Sequence, residues 1–309
     1  MQRLAILCPG QGGQHPHMFD LAKTDTRVEG LLEHWLPEVV CGMPLQEILD
    51  DHELLFSNRI AQPLIVAAEL AVWEAIKLSI PPPALVAGYS VGEVASYGVA
   101  GALSADETIG LAAFRARCMD AHAEASARQS LMAVSGLRST VIHELITRHG
   151  LSIAIENGED SLILGGLHHD LQAVEPLLAQ MGGHTVAIPV AIASHTPLML
   201  GAVAPFREKL EHCAFADFTS PVISGVLAEL IATKEKAVTL LPRQIAEKID
   251  WAGCMDACAE AGITVALELG PGGALSRMLR ARHPTIESRS VSDFRTLPGV
   301  LKWLDRSLR

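Results

Sequence analysis

The chain has 309 residues, of which 49% are hydrophobic and 19% are charged, so it can bury a large core in one large domain or two unequal ones. Its formal net charge of −11 argues against nucleic acid as a partner, because phosphate binding needs a concentrated basic face. The sequence shows neither a signal peptide nor an uninterrupted apolar segment of membrane-spanning length, so we expect no membrane insertion.

The first predicted element is a buried strand in RLAILCPG, which runs into the glycine-rich turn at residues 10–13. Gly10, Gly12 and Gly13 lack side chains, so the backbone around Gln11 can approach another segment closely. The same letters fit an ordinary strand-to-helix turn or a phosphate cradle. No Lys-Ser or Lys-Thr pair follows to complete a P-loop, however.

A long helix is predicted in IAQPLIVAAELAVWEAIKLSI, and the next strand, PALVAG, leads into GYSVGE. Ser90 lies there between Gly88 and Gly92, in the G-x-S-x-G pattern of a nucleophile elbow. In such an elbow the serine lies at the carboxyl end of a strand, beside helix N-terminal N–H groups that favour a developing oxyanion. The motif alone also fits a serine that caps an ordinary helix.

The rhythm of predicted elements changes from about residue 126, where four short strands and two helices follow in the order β-α-β-β-α-β. We therefore predict an α/β protein in which a large hydrolase-like domain with a mostly parallel sheet comprises residues 1–125 and 196–309. A small ferredoxin-like α+β domain, residues 126–195, is inserted into it. Such an insertion creates a cleft, where ligand sites tend to form.

His195 is the histidine whose setting differs from the others, because it follows the last strand of the small unit, in ASHTPLM, beside the predicted cleft. A histidine there could accept the Ser90 proton and later return a proton to the leaving group. Its position alone also fits a packed core or surface histidine. The proposed pairing therefore depends on geometry that the sequence does not give.

The sequence contains six scattered cysteines: Cys8, Cys41, Cys118, Cys213, Cys254 and Cys258. Their spacing predicts reduced thiols in a cytoplasmic protein rather than a disulfide framework. Cys254 and Cys258 are one helical turn apart, but no matching Cys or His pair lies nearby, so we predict no metal site.

A local excess of positive charge occurs near the C-terminus, at Arg277, Arg280, Arg282 and Arg289. Arginines at positions i and i+3 share a helix face, so this group could meet a phosphate or an acidic protein surface. A solvated helix end is the simpler interpretation, and we prefer it.

Seven motifs in order resemble a known family. They are CPGQGGQ, AQPLIVAAELAVWE, GYSVGE, FRARCM, SHTPLM, LPRQI and LELGPGGALSRML, and they stand in the order, and near the positions, seen in malonyl-CoA:acyl carrier protein transacylases. The similarity spans essentially the whole chain. It implies an enzyme without a permanently bound cofactor that takes malonyl from malonyl-CoA, a coenzyme A thioester, and passes it to the phosphopantetheine thiol of an acyl carrier protein.

The resemblance also implies catalytic roles for particular residues. Ser90 would be the nucleophile and His195 the base, while Gln11 and the backbone N–H of Val91 would form the oxyanion hole. The main-chain carbonyl of Gln244, in LPRQI, would orient the His195 imidazole. The arrangement would thus be a dyad without a triad aspartate.

Substrate binding would fall, by the same resemblance, on Arg115, Tyr89, Gln62 and Asn157. Arg115 would hold the free carboxylate of the malonyl group at two points, a grip that a lysine cannot reproduce. Arg117, two residues further along the helix, would face elsewhere and reach solvent. Gln62 and Asn157 match polar positions that line the family's cleft.

Two positions depart from the family pattern. Tyr89 stands where most members carry His before the serine, and Ile192 in IASH matches neither familiar specificity tetrapeptide. We therefore expect the preference for malonyl to depend mostly on Arg115. The GYSVGE variant, together with PGQGGQHPHM, looks most like the transacylase (epsilon) subunit of biotin-independent malonate decarboxylase, whose acceptor is a dedicated small carrier protein.

Three alternatives remain open from the sequence: a malonyl transacylase of fatty-acid synthesis, a serine thioesterase or hydrolase, and a noncatalytic docking subunit that has kept the fold. The first differs from the preferred interpretation only in the carrier protein. The second would use water as the acceptor. The third predicts that Ser90 can be replaced without loss of function.

Overall fold

The computed structural model describes residues 2–39 and 42–309, and these residues form an α/β fold with two sheets. The strands are β1 (Leu4–Cys8), β2 (Leu85–Gly88), β3 (Gln129–Ser135), β4 (Ser152–Gly158), β5 (Ser161–Leu167), β6 (His184–Ile188), β7 (Val222–Ile223), β8 (Leu230–Ile231), β9 (Ile249–Asp250), β10 (Val265–Glu268) and β11 (Glu287–Ser290). The helices are α1 (Asp20–Lys23), α2 (Thr26–Val39), α3 (Leu45–Asp50), α4 (His52–Phe56), α5 (Asn58–Ile76), α6 (Val91–Val99), α7 (Ala105–Glu124), α8 (Ser139–Arg148), α9 (His168–Gln180), α10 (Leu200–Glu211), α11 (Lys234–Leu240), α12 (Trp251–Glu260), α13 (Ala274–Arg282) and α14 (Leu297–Ser307).

The larger sheet has the strand order β11-β10-β1-β2-β7-β8. Its strands pair in parallel except for β8, which pairs antiparallel with β7 at one edge. The central strands β1, β2 and β10 are buried along their whole length, as expected for a parallel sheet that is covered on both faces. The predicted alternation of strands and helices is therefore confirmed in this part of the chain.

The neighbouring strands β1 and β2 bring two predicted site segments together. They run in parallel with Cys8 opposite Gly88, so both end at the same edge of the sheet. The glycine-rich turn follows β1 and the elbow follows β2. Helix α5 is buried over most of its length and packs against α6 and α7, which fixes these helices over one face of the sheet.

The smaller sheet has the order β6-β3-β5-β4-β9. Its first four strands pair antiparallel with one another, and with α8 and α9 they follow the β-α-β-β-α-β order that the sequence indicates. The fifth strand, β9, was not predicted: it comes from a later part of the chain and pairs in parallel with β4. Lys248, beside β9, also forms an ion pair with Glu156 on β4. These contacts fasten the small sheet to the rest of the fold.

The structure also bears on the predictions for the cysteines, for a metal site and for membrane-spanning segments. The five cysteines that the structure describes are free thiols, whereas Cys41 lies outside the described residues. Within residues 2–39 and 42–309, no group of three or more His, Cys, Asp or Glu side chains is arranged to hold a metal ion. The helices of the same residues include none with the length and apolar character needed to cross a membrane.

The C-terminal arginines are largely occupied by contacts within the chain. Arg282 forms two hydrogen bonds with the Asp256 carboxylate, at 2.6 and 2.7 Å, and Arg280 donates to the main-chain oxygen of Ser288 at 2.9 Å. Arg289 lies 4.0 Å from the centre of the Phe294 ring. These contacts favour a structural role for the group over the binding of a phosphate or an acidic surface.

Candidate active site

Ser90 lies at a sharp turn between β2 and α6, with a φ of 55° and a ψ of −118°. The two flanking residues are glycines because other backbone segments pass too close to them for a side chain to fit. A Cβ atom on Gly88 would lie 2.3 Å from the Glu93 nitrogen, and one on Gly92 would lie 2.0 Å from the Cys8 oxygen. The turn is therefore a strained elbow that presents the serine side chain at the end of the strand.

The Ser90 hydroxyl contacts the imidazole of His195, with 2.8 Å between Oγ and Nε2. On the other side of the ring, Nδ1 lies 2.5 Å from the main-chain oxygen of Gln244. Because a carbonyl oxygen can only accept, Nδ1 carries the proton and Nε2 presents its lone pair to the serine. The structure therefore brings together the three groups that the resemblance placed at the catalytic centre.

His195 is buried, and this burial lowers its pKa to about 3. The positive charge of Arg115 acts in the same direction, while the hydrogen bond to the Gln244 carbonyl opposes the shift. The imidazole is therefore neutral across the physiological pH range. In that state Nε2 is free to accept a proton from the serine.

The two residues expected to form the oxyanion hole, Val91 and Gln11, are on segments that adjoin Ser90. Val91 is the first residue of α6, so its N–H has no acceptor within the helix. The turn that carries Gln11 touches the elbow, because a Cβ on Gly10 would lie 2.8 Å from the Tyr89 oxygen and 3.4 Å from the Ser90 Cβ. The Gln11 side chain lines the same cleft as Ser90. This placement suits an oxyanion hole made from one backbone and one side-chain donor.

Arg115, on α7, is only 1% exposed and lines the cleft. Its Nη1 donates to Gln62 Oε1 at 2.8 Å and its Nη2 donates to Gln244 Oε1 at 2.9 Å. Among the described residues, its buried Nε has no hydrogen-bond partner and no carboxylate forms an ion pair with its guanidinium. Burial lowers the pKa of Arg115 to about 10, so the side chain is still a cation at neutral pH. A buried cation without a carboxylate contact favours an anionic ligand.

Arg117, by contrast, is exposed, and its guanidinium lies 5.6 Å from the centre of the Phe114 ring. The expectation that it faces away from the site and reaches solvent is therefore confirmed. Two residues along a helix turn a side chain by more than half a revolution, which is enough to separate a cleft residue from a surface residue.

The side chain of Gln244 is a connection that the sequence did not reveal. Its Nε2 donates to the Ser90 main-chain oxygen at 2.9 Å and to Glu93 Oε2 at 2.6 Å, while its Oε1 accepts from Arg115. Its main-chain oxygen accepts from His195. One residue therefore contacts the nucleophile's backbone, the base and the arginine. Only its carbonyl was expected to take part.

Glu93 was also missed. It is fully buried, and its Oε2 accepts a second hydrogen bond, from the Gly225 N–H at 3.0 Å. Burial raises its pKa to about 7, against the opposing effects of the Gly225 and Gln244 hydrogen bonds and of the Arg115 charge. A glutamate three residues after the elbow serine, in the first turn of α6, was the available signal.

Tyr89 and Asn157 connect the two sheets. The Tyr89 hydroxyl donates to Asn157 Oδ1, on β4, at 3.2 Å, and the Tyr89 ring packs edge-on against Trp251 with 5.3 Å between ring centres. Desolvation raises the pKa of Tyr89, so the hydroxyl remains a neutral donor. Tyr89 is among the residues that line the cleft, but Asn157, which was expected to line it, is not.

The cleft has a volume of about 550 Å³, and it is lined by residues near the larger sheet and by residues of the smaller sheet. The polar side is formed by Gln11, Gln62, Ser90, Arg115 and His195, whereas the small sheet contributes apolar side chains such as Leu131, Ile155, Ile163 and Ile188. A cleft of this size with a few convergent polar groups suits a small-molecule substrate. Its buried cation, Arg115, and its neutral Ser-His pair suit an acyl group with a negative end.

Comparisons with known proteins agree with this chemistry. The family model of the acyl transferase domain matches residues 6–281. The chain is 28% identical to the malonyl CoA-acyl carrier protein transacylase of Mycobacterium bovis over 306 residues. This alignment covers 93% of this chain and 96% of that protein. It is 30% identical over 259 residues to polyketide synthase GfsB of Streptomyces halstedii, covering 81% of this chain and 4% of that protein. The crystal structure of malonyl-CoA:acyl carrier protein transacylase from Helicobacter pylori matches with a TM-score of 0.91 at 27% identity, covering 99% of each chain.

Proposed function

The chain belongs to the acyl transferase domain family and is an acyltransferase, and on that premise we propose that it transfers malonyl from malonyl-CoA to the prosthetic-group thiol of an acyl carrier protein. The transfer proceeds through an ester on Ser90. The observation that carries the proposal is the hydrogen-bonded series Ser90–His195–Gln244–Arg115, which joins a nucleophile and its base to a buried cation in one cleft.

In the first half-reaction, the Ser90 oxygen attacks the thioester carbonyl carbon while His195 Nε2 takes the hydroxyl proton. The negative charge that develops on the carbonyl oxygen is stabilised by the Val91 N–H and the Gln11 amide. Collapse of this intermediate breaks the carbon–sulfur bond, and His195 returns its proton to the coenzyme A sulfur. The product is a malonyl ester on Ser90 and free coenzyme A.

In the second half-reaction, the carrier thiol gives its proton to His195 and its sulfur attacks the ester carbonyl. The same two donors stabilise the oxyanion, and the carbon–oxygen bond to Ser90 then breaks as His195 returns the proton to the serine oxygen. A positioned base contributes about 10² to 10⁴ in rate. One oxyanion donor contributes about 10² to 10³.

Arg115 supplies the preference for malonyl. Its contacts with Gln62 and Gln244 use two of the five guanidinium N–H groups, so three N–H groups are left for the substrate carboxylate. A planar guanidinium can hold a carboxylate at two points. The two glutamine oxygens fix the plane of the guanidinium, which reduces the entropy lost when the substrate binds.

The narrower proposal is that the acceptor is the carrier subunit of malonate decarboxylase. Tyr89 in GYSVGE supports it, since the resemblance of this variant is to the transacylase subunit of that enzyme. A fatty-acid-synthesis carrier fits the named relatives at least as well. An assay that offers both carriers with phosphopantetheine-type thiols decides between them by the ratio of their transfer rates.

Two further proposals concern the domains and the location of the protein. We infer that residues 126–195 form a ferredoxin-like domain inserted between residues 1–125 and 196–309, supported by the strand order β6-β3-β5-β4 and its antiparallel pairing. The five described cysteines, which are free thiols, support a cytoplasmic location.

The proposed ester can be tested directly by mass spectrometry after brief exposure to malonyl-CoA. The unaltered chain should release free coenzyme A and carry a malonyl adduct on the Ser90 peptide. Ser90→Ala should show no adduct. Addition of a carrier protein should then remove the adduct and malonylate the carrier. Absence of the adduct on folded protein contradicts acyl transfer, whereas an adduct that water removes faster than the carrier does indicates a thioesterase.

A further inference from the structure

Asn58, the first residue of α5, contacts both groups of side chains that the proposed reaction needs. Its Oδ1 accepts a hydrogen bond from Gln11 Nε2 at 2.9 Å and another from Gln62 Nε2 at 2.7 Å. Gln62 Oε1 in turn accepts from Arg115. A single oxygen atom therefore contacts both the proposed oxyanion donor and the glutamine that holds the proposed carboxylate-binding arginine.

The other end of the Asn58 carboxamide fixes its orientation. Its Nδ2 donates to Asp120 Oδ1 at 2.8 Å and to the Ala116 main-chain oxygen at 3.3 Å, both on α7. Rotation of the amide by half a turn would place its NH₂ group against two N–H donors and its oxygen against two acceptors. Asp120 therefore determines that Asn58 presents oxygen to Gln11 and Gln62.

The same reasoning extends to Gln11. Because one Nε2 hydrogen of Gln11 is held by Asn58, the carboxamide cannot turn its oxygen towards the oxyanion without losing that hydrogen bond. An inverted amide would repel the developing negative charge instead of stabilising it. The orientation of the oxyanion donor thus depends on a neighbour that does not touch the reacting atoms.

We propose that Asn58 is a positioning residue that orients Gln11 for oxyanion stabilisation and, through Gln62, orients Arg115 for carboxylate binding. This inference rests on the proposed function. It predicts that Asn58 links acyl-group activation to acyl-group selection, because both depend on hydrogen bonds to the same atom.

The two branches can be separated by the choice of substrate. Acetyl-CoA has no free carboxylate, so it reports only on the Gln11 branch, whereas malonyl-CoA reports on both. For Asn58→Ala we expect kcat for Ser90 acylation to fall about 10-fold with either donor, since the oxyanion donor loses its orientation. The KM for malonyl-CoA should also rise about 5-fold, while the KM for acetyl-CoA stays unchanged.

A double-mutant cycle tests whether Asn58 acts through Gln11. Gln11→Ala alone should lower kcat about 10²-fold, but in the Asn58→Ala background it should lower kcat about 10-fold or less. A purely structural loss would leave the two effects multiplicative. Multiplicative effects in variants that retain the wild-type melting temperature would therefore overturn the inference.

An exchange of charge tests the orientation of the amide and does not depend on the alanine variant folding. Asn58→Asp should lower kcat about 10-fold or more, because it turns a carboxylate towards the Asp120 carboxylate. Asn58→Asp combined with Asp120→Asn keeps the net charge and restores a donor and acceptor between the positions. We expect the kcat of the double variant to return to within about 3-fold of the kcat of Asp120→Asn alone. A double variant as slow as Asn58→Asp would overturn the inference.

The outcomes distinguish this inference from the proposed function. A malonyl adduct on Ser90 and a loss of kcat in Gln11→Ala support acyl transfer whatever Asn58 does. If both hold and neither the cycle nor the exchange shows coupling, only the role of Asn58 is wrong. If unaltered folded protein forms no adduct, the proposed function itself is wrong.

Discussion

The two halves of the site are built in different ways. We define the serine centre as Ser90, Val91 and His195 with their backbone contacts, and the arginine centre as Arg115 with the side chains of Gln62 and Gln244. The serine centre depends on a turn that two glycines permit, a helix N-terminus and a main-chain carbonyl. The arginine centre depends on hydrogen bonds between side chains that are 53 and 129 positions apart in the sequence.

This difference has a consequence for catalysis. The Ser90 hydroxyl and the backbone N–H beside it act on the carbonyl carbon and oxygen, which every acyl thioester has. The guanidinium acts only on a substrate that carries a negative end. Changes in the serine centre should therefore affect all acyl donors alike, whereas changes in the arginine centre should depend on the charge of the acyl group.

His195→Ala should give the largest effect, because it removes the base from the serine centre. We expect the rate of Ser90 acylation to fall about 10³-fold. The loss should be the same for malonyl-CoA and acetyl-CoA within about 3-fold, since proton transfer from the serine does not involve the acyl tail. Rapid-quench measurement of the acyl adduct with both donors checks this. A loss confined to malonyl-CoA would contradict the separation of the two centres.

Arg115→Lys should give a smaller effect that depends on the donor. An ammonium group cannot keep both glutamine contacts and also hold a carboxylate at two points, so kcat/KM for malonyl-CoA should fall about 10²-fold. For acetyl-CoA it should change less than about 3-fold. Steady-state kinetics with both donors provide the measurement.

Arg117→Lys is the matched control for this substitution, because it makes the same change on the exposed side of α7. It should leave kcat/KM for both donors unchanged. Equal losses for the two donors in Arg115→Lys would remove the proposed role of Arg115 in selecting malonyl.

The same difference explains what the sequence could predict. The elbow was predictable because Gly88 and Gly92 leave a short sequence pattern: a Cβ on Gly88 would clash with the backbone of α6, and one on Gly92 would clash with the backbone at the end of β1. The alternation of strands and helices was predictable from apolar runs such as LAILC and LVAG. Helix α7 likewise separated Arg115 from Arg117 by its period alone.

The missed features depend on long-range contacts. Asn58, Glu93 and the Gln244 side chain have their roles because the fold brings distant elements together, and nothing in the local sequence of each residue indicates the partner. The two-residue strand β9 was missed for the same reason, since a strand of that length shows no periodicity. The roles of Gln11 and Arg115 came from the family resemblance, which also chose among the alternatives that the local sequence left open for Ser90 and His195. The structure supplies the distance between Ser90 and His195, which the resemblance could not.

Glu93 lies where the two centres meet, and Glu93→Gln should give the smallest effect on catalysis. The substituted amide oxygen can still accept from Gln244 and from the Gly225 N–H, so acylation rates with both donors should stay within about 3-fold of the unaltered chain. A loss with malonyl-CoA alone would show instead that the charge of Glu93, rather than its hydrogen bonds, supports the arginine centre.

The difference in stability between the unaltered chain and Glu93→Gln should depend on pH. Burial raises the folded-state pKa of Glu93 from 4.5 to about 7, so the fold prefers the protonated carboxyl. The stability that protonated Glu93 gives the folded state is fully present below pH 4.5 and is lost as the pH rises through 7. Glutamine does not titrate, so the free energy of unfolding of the unaltered chain, minus that of Glu93→Gln, should fall by about 2 kcal/mol between pH 5 and pH 8. Denaturant unfolding at both pH values measures this difference. If the difference in the free energy of unfolding is the same at both pH values, Glu93 is already ionised at pH 5. Its negative charge would then be stabilised by groups of the serine and arginine centres.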